Sequence, residues 1–312
     1  MPAKSRLSDF IGKLKDSAET RMVFYRGMRW FAAVFAAGLF LKFFVCDSVR
    51  MEGAQMEPAV SAGDRVLLLK AQYAAPVLNK FFDVENKIVV AELRDKSGGR
   101  TILRIAAVSG DTASIDAGRF YRNCCAVEAV RKDTARYNLL PADCSPADFM
   151  APYRVPAPGD TVAFAELTLR DLIFAYAAMR QEKSRVTLKA FAVAGDSIIY
   201  GYRIKDFSLY SGPIDSIPEE LAADWFFWDR LREYMNMNAE DADGKPQLAF
   251  SIFRGAKEIT GFRVKKRYLF LMGDNWTGAK DSRYFGPVRL DSVKGRPVMR
   301  LWGNGKFFGR LK

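Results

Sequence analysis

Between Met272 and Pro287 the chain reads Met-Gly-Asp-Asn-Trp-Thr-Gly-Ala-Lys-Asp-Ser-Arg-Tyr-Phe-Gly-Pro. Its acids, amide, hydroxyl and guanidinium are dense enough to build a site. Gly273, Asp274 and Asn275 are turn chemistry, because glycine tolerates φ > 0 and Asp or Asn side chains bond their own backbone. Asp281 and Arg283 stand close enough for a charge-assisted pair across a tight loop, with Ser282 between them. The bland alternative is a well-capped surface turn. Outside this stretch the inventory is restrictive. The chain has no histidine, which excludes a Ser–His–Asp triad, a Cys–His dyad and any His-ligated metal. Nucleophilic chemistry would need another base, such as lysine. The cysteines, Cys46, Cys124, Cys125 and Cys144, lack the paired C-x-x-C spacing of a zinc site. Neither metal nor cofactor is expected.

The elements that must hold this stretch read mainly as strands. Tyr268–Met272 is a buried run leading into it. Arg65–Lys70, Lys87–Leu93, Thr101–Val108, Arg185–Ala194, Ser197–Tyr200 and Arg267–Met272 are strand-like. Gly-Asp dipeptides at 63–64, 110–111, 159–160, 195–196 and 273–274 punctuate them as turns. Short strands with tight turns predict a mainly β fold of folded antiparallel sheets or a barrel. Two helices interrupt it: Leu167–Lys183, and Ile217–Asn238 with Ser216 as N-cap and Pro218 in the first turn. Trp225, Trp228, Leu231 and Met235 share one face of the second, as packing rather than a cofactor box. These helices fall in an insertion of the β domain at about 160–240.

The amino-terminal end is built differently. Residues 1–22 form a basic amphipathic segment, with Leu7, Phe10, Ile11, Leu14 and Ala18 on one face. It reads equally as a helix lying on a membrane surface or as an ordinary terminal helix. Residues 23–45 read as a transmembrane signal anchor. The almost wholly apolar part, residues 30–45, falls short of the ~20 residues that span hydrocarbon, and Met22–Tyr25 extends it. No small-x-small site follows for cleavage as a signal peptide. Nor do Phe43 and Val45 suit a lipoprotein site at Cys46. Seven Lys/Arg precede residue 30, whereas Arg50 is alone in the dozen residues after Lys42. The positive-inside rule then puts the amino terminus in the cytoplasm and residues 46–312 outside. The net charge of +12 is scattered, with no nucleic-acid motif, and residues 1–45 contribute eight Lys/Arg against three Asp/Glu. That asymmetry suits membrane lipid. In an oxidising compartment Cys144 could pair with Cys124 or Cys125.

Ordered blocks along the chain resemble the bacterial type I signal peptidases, the Ser/Lys-dyad S26 family. The stretch after Met272 is similar to their "GDN-R-x-N-S-x-D-S-R-Y-x-G" box, keeping Gly273, Asp274, Asn275, Asp281, Ser282 and Arg283, with Trp276 for arginine and Gly278 for asparagine. Glu52–Asp64 resembles "P-S-G-S-M-x-P-T-L-x-x-G-D", keeping Met56, Pro58, Gly63 and Asp64. Ile102–Asp111 resembles "Y-I-K-R-V-x-G-L-P-G-D", keeping Arg104, Gly110 and Asp111. Asp116–Asn123 resembles "D-G-x-x-Y-x-N-G". The resemblance spans most of residues 30–303. It implies a membrane-tethered, two-domain β fold and a role in cleaving signal peptides from exported preproteins at the bacterial cytoplasmic membrane.

The positions to which the resemblance assigns chemistry are occupied by other residues. Gln55 stands where the family has its nucleophilic serine, Leu103 at the general-base lysine, Ala279 at the serine orienting that lysine, and Gly53 at an oxyanion serine. Glutamine's amide is not a nucleophile and leucine accepts no proton. The implied reading is an inactive signal peptidase homologue that binds signal peptides, other extended segments or secretion partners, in part by strand addition. The alternative is an active peptidase with substitute residues: Ser61 or Ser109 as nucleophile and Lys280 as base, each of which also reads as a turn residue. A purely structural membrane protein is a third possibility.

Overall fold

The computed structural model describes residues 3–70, 87–93, 99–127, 149–182, 185–237, 246–276, 278–303 and 306–311. The chain divides into two compact units, Met1–Asp47 and Ser48–Lys312.

The first unit is dominated by one helix, α1, Ala3–Phe40, which continues as a π-helical turn over Leu41–Val45. Its backbone passes residue 22 without a break, so the two segments read from the sequence are one helix. Within it Met22–Val45 is long and apolar enough to cross a membrane, and none of it is buried. Trp30, Phe31, Val34, Phe35 and Phe40 are all exposed. At 1.5 Å rise per residue this stretch is about 36 Å long, against about 30 Å of hydrocarbon.

The second unit is mainly β. Strands β1 (Cys46–Arg50), β2 (Arg65–Lys70), β3 (Ile88–Glu92) and β4 (Arg100–Val108) begin it. The strands β5 (Thr112–Asp116), β6 (Arg119–Arg122), β7 (Cys125–Ala126) and β8 (Met150–Arg154) form a separate sheet in the order β7-β6-β5-β8. Then come β9 (Thr161–Ala163), α2 (Leu169–Gln181), β10 (Val186–Ala194), β11 (Ser197–Ile199), β12 (Arg203–Phe207) and β13 (Tyr210–Pro213). Two helices follow, α3 (Glu219–Ala222) and α4 (Trp225–Met237), then β14 (Gln247–Arg254), β15 (Lys257–Ile259), β16 (Gly261–Arg263) and β17 (Tyr268–Met272). The chain ends in α5 (Ser282–Phe285), β18 (Val288–Arg289), β19 (Val293–Gly303) and β20 (Lys306–Arg310). A curled antiparallel sheet runs β1-β2-β19-β3-β4-β17-β18, with β20 on β19.

Strand alternation separates two apolar clusters across this sheet. Ile102 faces Val49, Met51, Met56, Val60, Val66, Leu68, Ile88 and Val90. Leu103 and Ile105 face Val89, Ala91, Leu269, Leu271 and Val288. Residues 160–240 hold strands as well as helices: β10 pairs with β14, β11 and β15 complete that sheet, and β12 pairs with β13. Helix α2 is buried on two sides, sending Phe174 and Met179 into the cluster of Phe270, Met272 and Trp276, and Ile173 into that of Trp228, Leu231 and Met235.

The helix expected over Ile217–Asn238 is two helices. Ser216 caps neither; its hydroxyl meets Asp215. Asp224 breaks the run, and its carboxylate accepts from the Phe226 N–H at 3.1 Å, opening α4 as an N-cap does. In α2 the cap is Thr168, whose Oγ1 accepts from the Asp171 N–H.

Candidate functional site

Two buried ion pairs frame the candidate site. Arg104, on β4, donates from Nε and Nη2 to the two carboxylate oxygens of Asp274, both at 2.6 Å. Asp274 is fully buried and Arg104 nearly so. The bidentate geometry fits the planar guanidinium to the carboxylate and ties β4 to the turn after β17. Asp281 caps α5 and holds Arg283: Oδ1 accepts from Arg283 N at 3.1 Å and from Nε at 2.8 Å, and Oδ2 accepts from Nη2 at 2.8 Å. Oδ2 also accepts from the Gly273 N–H at 2.9 Å, closing the loop on itself. Arg283 Nη2 donates to Trp276 O at 2.9 Å, and its guanidinium lies 5.4 Å from the Trp276 ring centre. Ser282 Oγ accepts from the Leu271 N–H. Neither Asp281, Ser282 nor Arg283 has any exposure. A pair so desolvated holds only because nearly every donor and acceptor around it is engaged.

The other motif acids staple turns. Asp64, Asp111 and Asp160 each accept, through one carboxylate oxygen, from the N–H three residues earlier: Ser61, Val108 and Ala157. Asp64 also meets Arg300 Nε at 2.8 Å, and Asp111 accepts from Asn123 Nδ2 at 2.8 Å. The glycines before all three have positive φ. Gly273 differs. A Cβ there would lie 2.5 Å from Ala279 Cβ and 2.5 Å from Gln55 O, so glycine is required by close approach.

That approach brings the positions of interest together. Gln55 O accepts from the Asn275 N–H at 3.0 Å, and Ala54 O from Asn275 Nδ2 at 3.1 Å. Gln55 Nε2 donates to Thr101 Oγ1 on β4. Thr101 and Leu103 project from the same face of that strand. Leu103 has no exposure. Ala279 is buried against Gly273. Met56 is fully buried beside this segment, with Pro58 exposed. At Gly53 the space for a Cβ is open, its nearest neighbour being Gln55 Oε1 at 3.9 Å. Residues 55, 101, 273 and 279 thus meet from three separate parts of the chain, with an amide, a hydroxyl and a methyl at the junction. Leu103 stands two residues along β4 from Thr101.

The substitute residues lie in other surroundings. Ser109 Oγ donates to Tyr268 O at 3.1 Å and accepts from the Tyr268 N–H at 2.6 Å, which bridges the ends of β4 and β17. The Ser61 N–H and carbonyl both serve the Asp64 turn. Lys280 pairs with Asp224 at 2.9 Å, with its side chain largely exposed. Burial and the carboxylate of Glu182 push the Tyr268 phenol well above its ordinary range, so it stays neutral, its one O–H shared between Ala178 O and Glu182 Oε1, each 3.0 Å away. Cys124, on the β6–β7 turn, and Cys125, which opens β7, are exposed, and their expected partner Cys144 lies outside the described residues. Among the described residues no cluster of acids or cysteines could hold a metal.

Sequence reasoning missed three contributors. Thr101 gives no signal beyond alternation with Leu103. Trp276 reads as a departure from the box, yet its ring stacks on Arg283. Trp225 reads as packing, yet its indole N–H donates to Arg283 O, joining α4 to the box.

The geometry agrees with what comparison of the chain finds. A family model, "Signal peptidase, peptidase S26", matches residues 25–302. Over 49 residues the chain is 37% identical to the mitochondrial ATP-independent inner membrane protease subunit 1a of Arabidopsis thaliana; the match covers 16% of this chain and 29% of that protein. The matched span takes in both framing ion pairs and residues 53, 55, 103 and 279, and the chain belongs to the signal peptidase S26 family.

Proposed function

We propose that this S26 chain does not cleave peptides and acts by binding extended segments of exported proteins or components of the secretion machinery. The observation that carries this is Leu103, fully buried among Val89, Ala91, Ile105, Leu269 and Leu271 where the family's lysine would stand. A leucine there can take no proton. Gln55, facing Thr101, offers no nucleophile. Loss of either member of a catalytic unit typically costs ~10⁴-fold or more, and losing both costs little beyond that. Ala279 and Gly53 complete the substitution of every group to which the resemblance assigns chemistry. The retained frame holds the strands beside which an extended segment would add by strand pairing.

The surplus of basic residues before the apolar stretch supports a bacterial cytoplasmic membrane location with a cytoplasmic amino terminus. In the second reading Ser61 or Ser109 is the nucleophile and Lys280 the base. Their turn bonds and the Lys280–Asp224 pair count against it.

The test is cleavage of a standard preprotein in detergent by the wild type and by a variant carrying Gln55→Ser, Leu103→Lys and Ala279→Ser. A silent wild type beside a cleaving triple variant is the expected result. Cleavage by the wild type, abolished by Ser61→Ala or Ser109→Ala, overturns the proposal.

A further inference from the structure

We propose that Arg50, Arg65 and Trp302 form a seat for the phosphate of an anionic phospholipid headgroup, independent of whether the chain cleaves peptides. A cavity of about 500 Å³ is lined by Arg50, Gly63, Arg65, Trp302 and Gly303. The Arg65 guanidinium lies 4.9 Å from the centre of the Trp302 ring. Stacking orients its fork and leaves its N–H edges for a planar or tetrahedral anion. Arg50 is exposed on the same rim. Neither arginine makes an ion pair with a carboxylate among the described residues, unlike Arg104, Arg283 and Arg300. Asp64, the acid next to Arg65 in the chain, is fully buried and offset by Arg300. Gly303, at this end of the cavity, is required by close approach, since a Cβ there would fall 1.8 Å from Asp64 Oδ1.

Two observations favour a lipid over a free phosphate. Among the described residues the exposed large apolar side chains on β19 and β20 are Val298, Trp302 and Phe308, the last 71% exposed, and Arg296 is exposed on the same β19. An aromatic-rich apolar surface beside guanidinium groups is the composition of a membrane interface. Arg50 also follows Val45, the end of the apolar stretch, by five residues, a covalent reach of at most about 17 Å. A soluble phosphate would bring no partner for the exposed indole and phenyl groups, whereas a headgroup carries its own glycerol and acyl chains to them.

The experiment is hydrogen–deuterium exchange on the full-length protein in nanodiscs of phosphatidylcholine alone and of phosphatidylcholine with phosphatidylglycerol. The apolar helix keeps every variant in the disc, so anchoring does not confound the readout. The expected result is slower exchange over residues 49–52, 63–66 and 300–303 in the anionic discs. Arg50→Gln and Arg65→Gln should each reduce that protection by roughly fivefold, the contribution of one basic residue at an anionic surface. Unchanged exchange over 269–272 checks the fold, and Arg65→Lys, which keeps the charge, should retain most of the effect. Equal exchange in the two discs, or protection that survives the double substitution, overturns the proposal. Inorganic phosphate that gives the same protection in phosphatidylcholine discs would make the site a soluble-phosphate site and overturn the lipid assignment.

Discussion

The ionic frame and the face to which the resemblance assigns chemistry lie side by side and differ in what they hold. In the frame, Arg104–Asp274 and Asp281–Arg283 retain charge, bidentate geometry and almost complete burial. On the face, Gln55, Leu103 and Ala279 are uncharged. The frame acts on the fold whatever the chemistry, because it closes the turn between β17 and α5 and ties that turn to β4. The side chains of the face fill space and make one neutral hydrogen bond, Gln55 to Thr101. A lysine at residue 103 would be a desolvated amine that the fold must tolerate; a leucine there joins Val89, Leu269 and Leu271 at no such cost. Uncharged residues on this face are therefore compatible with a stable fold, whereas stranding one partner of a frame pair should not be.

Breaking the frame should give the largest effect. Arg283→Ala leaves Asp281 buried and charged with, among the described residues, the N–H groups of Gly273 and residue 283 to answer it. It also removes the stacking on Trp276. The expected destabilisation is about 3–5 kcal/mol, the usual consequence of stranding one member of a buried pair. Chemical denaturation followed by far-UV circular dichroism checks it. A loss under about 1 kcal/mol would mean the frame is not the structural element argued for above.

Leu103→Ala sharpens the comparison from the other side, because residue 103 belongs to the face by position and to the core by burial. Removing its side chain should cost about 3 kcal/mol through lost burial and an incompletely collapsed cavity. Leu103→Lys separates the roles: it should also destabilise, yet less at alkaline than at neutral pH. Burial lowers the lysine pKa in the folded state relative to the unfolded state. The unfolded chain then binds the extra proton, so stability rises with pH up to the ordinary lysine value of about 10.4. Denaturation midpoints of the lysine variant across that window provide the readout; a flat profile would place residue 103 in contact with water.

Most of the scaffold was legible because it is periodic. Arg65–Lys70 and Tyr268–Met272 form strands with bounds their patterns predict, the second one residue shorter than the wider range Arg267–Met272. The Asp281–Arg283 pair was legible because both partners sit in one short loop. Arg104–Asp274 was not: its members are 170 residues apart, and nothing local links them. The same holds for Lys280–Asp224, which joins the box to the inserted helices. Strand β19 escaped notice because Gly295 and Pro297 interrupt its pattern, although Gly295 pairs with Lys70 and Val90 and Pro297 with Leu68, the bulges falling at Lys294, Val298 and Leu301. The continuous helix expected from residue 217 failed at Asp224, whose side chain serves as a cap instead of continuing the turn. Gly273 read as an ordinary turn glycine like Gly63 and Gly110. Only the assembled fold shows that its hydrogen makes room for Ala279 and Gln55.

The smallest expected effect is at Gln55. Its side chain is half-buried, and its amide donates to Thr101, itself half-buried on β4. Both the amide and the hydroxyl can meet water if the contact is cut, so the penalty of an orphaned buried group does not apply. Gln55→Ala should therefore cost about 1 kcal/mol or less, the net worth of one neutral hydrogen bond. The backbone carbonyl of residue 55, which receives the Asn275 N–H, is untouched by the substitution. The junction between this segment and the turn after β17 should then persist, and a crystal structure of the variant should show the bond to Asn275 intact. Thermal unfolding measures the energy, and a loss near that of Arg283→Ala would show that residue 55 has itself become part of the frame. A small loss would leave the face free to change without unfolding the molecule, the condition under which a nucleophile can be replaced while its scaffold stays.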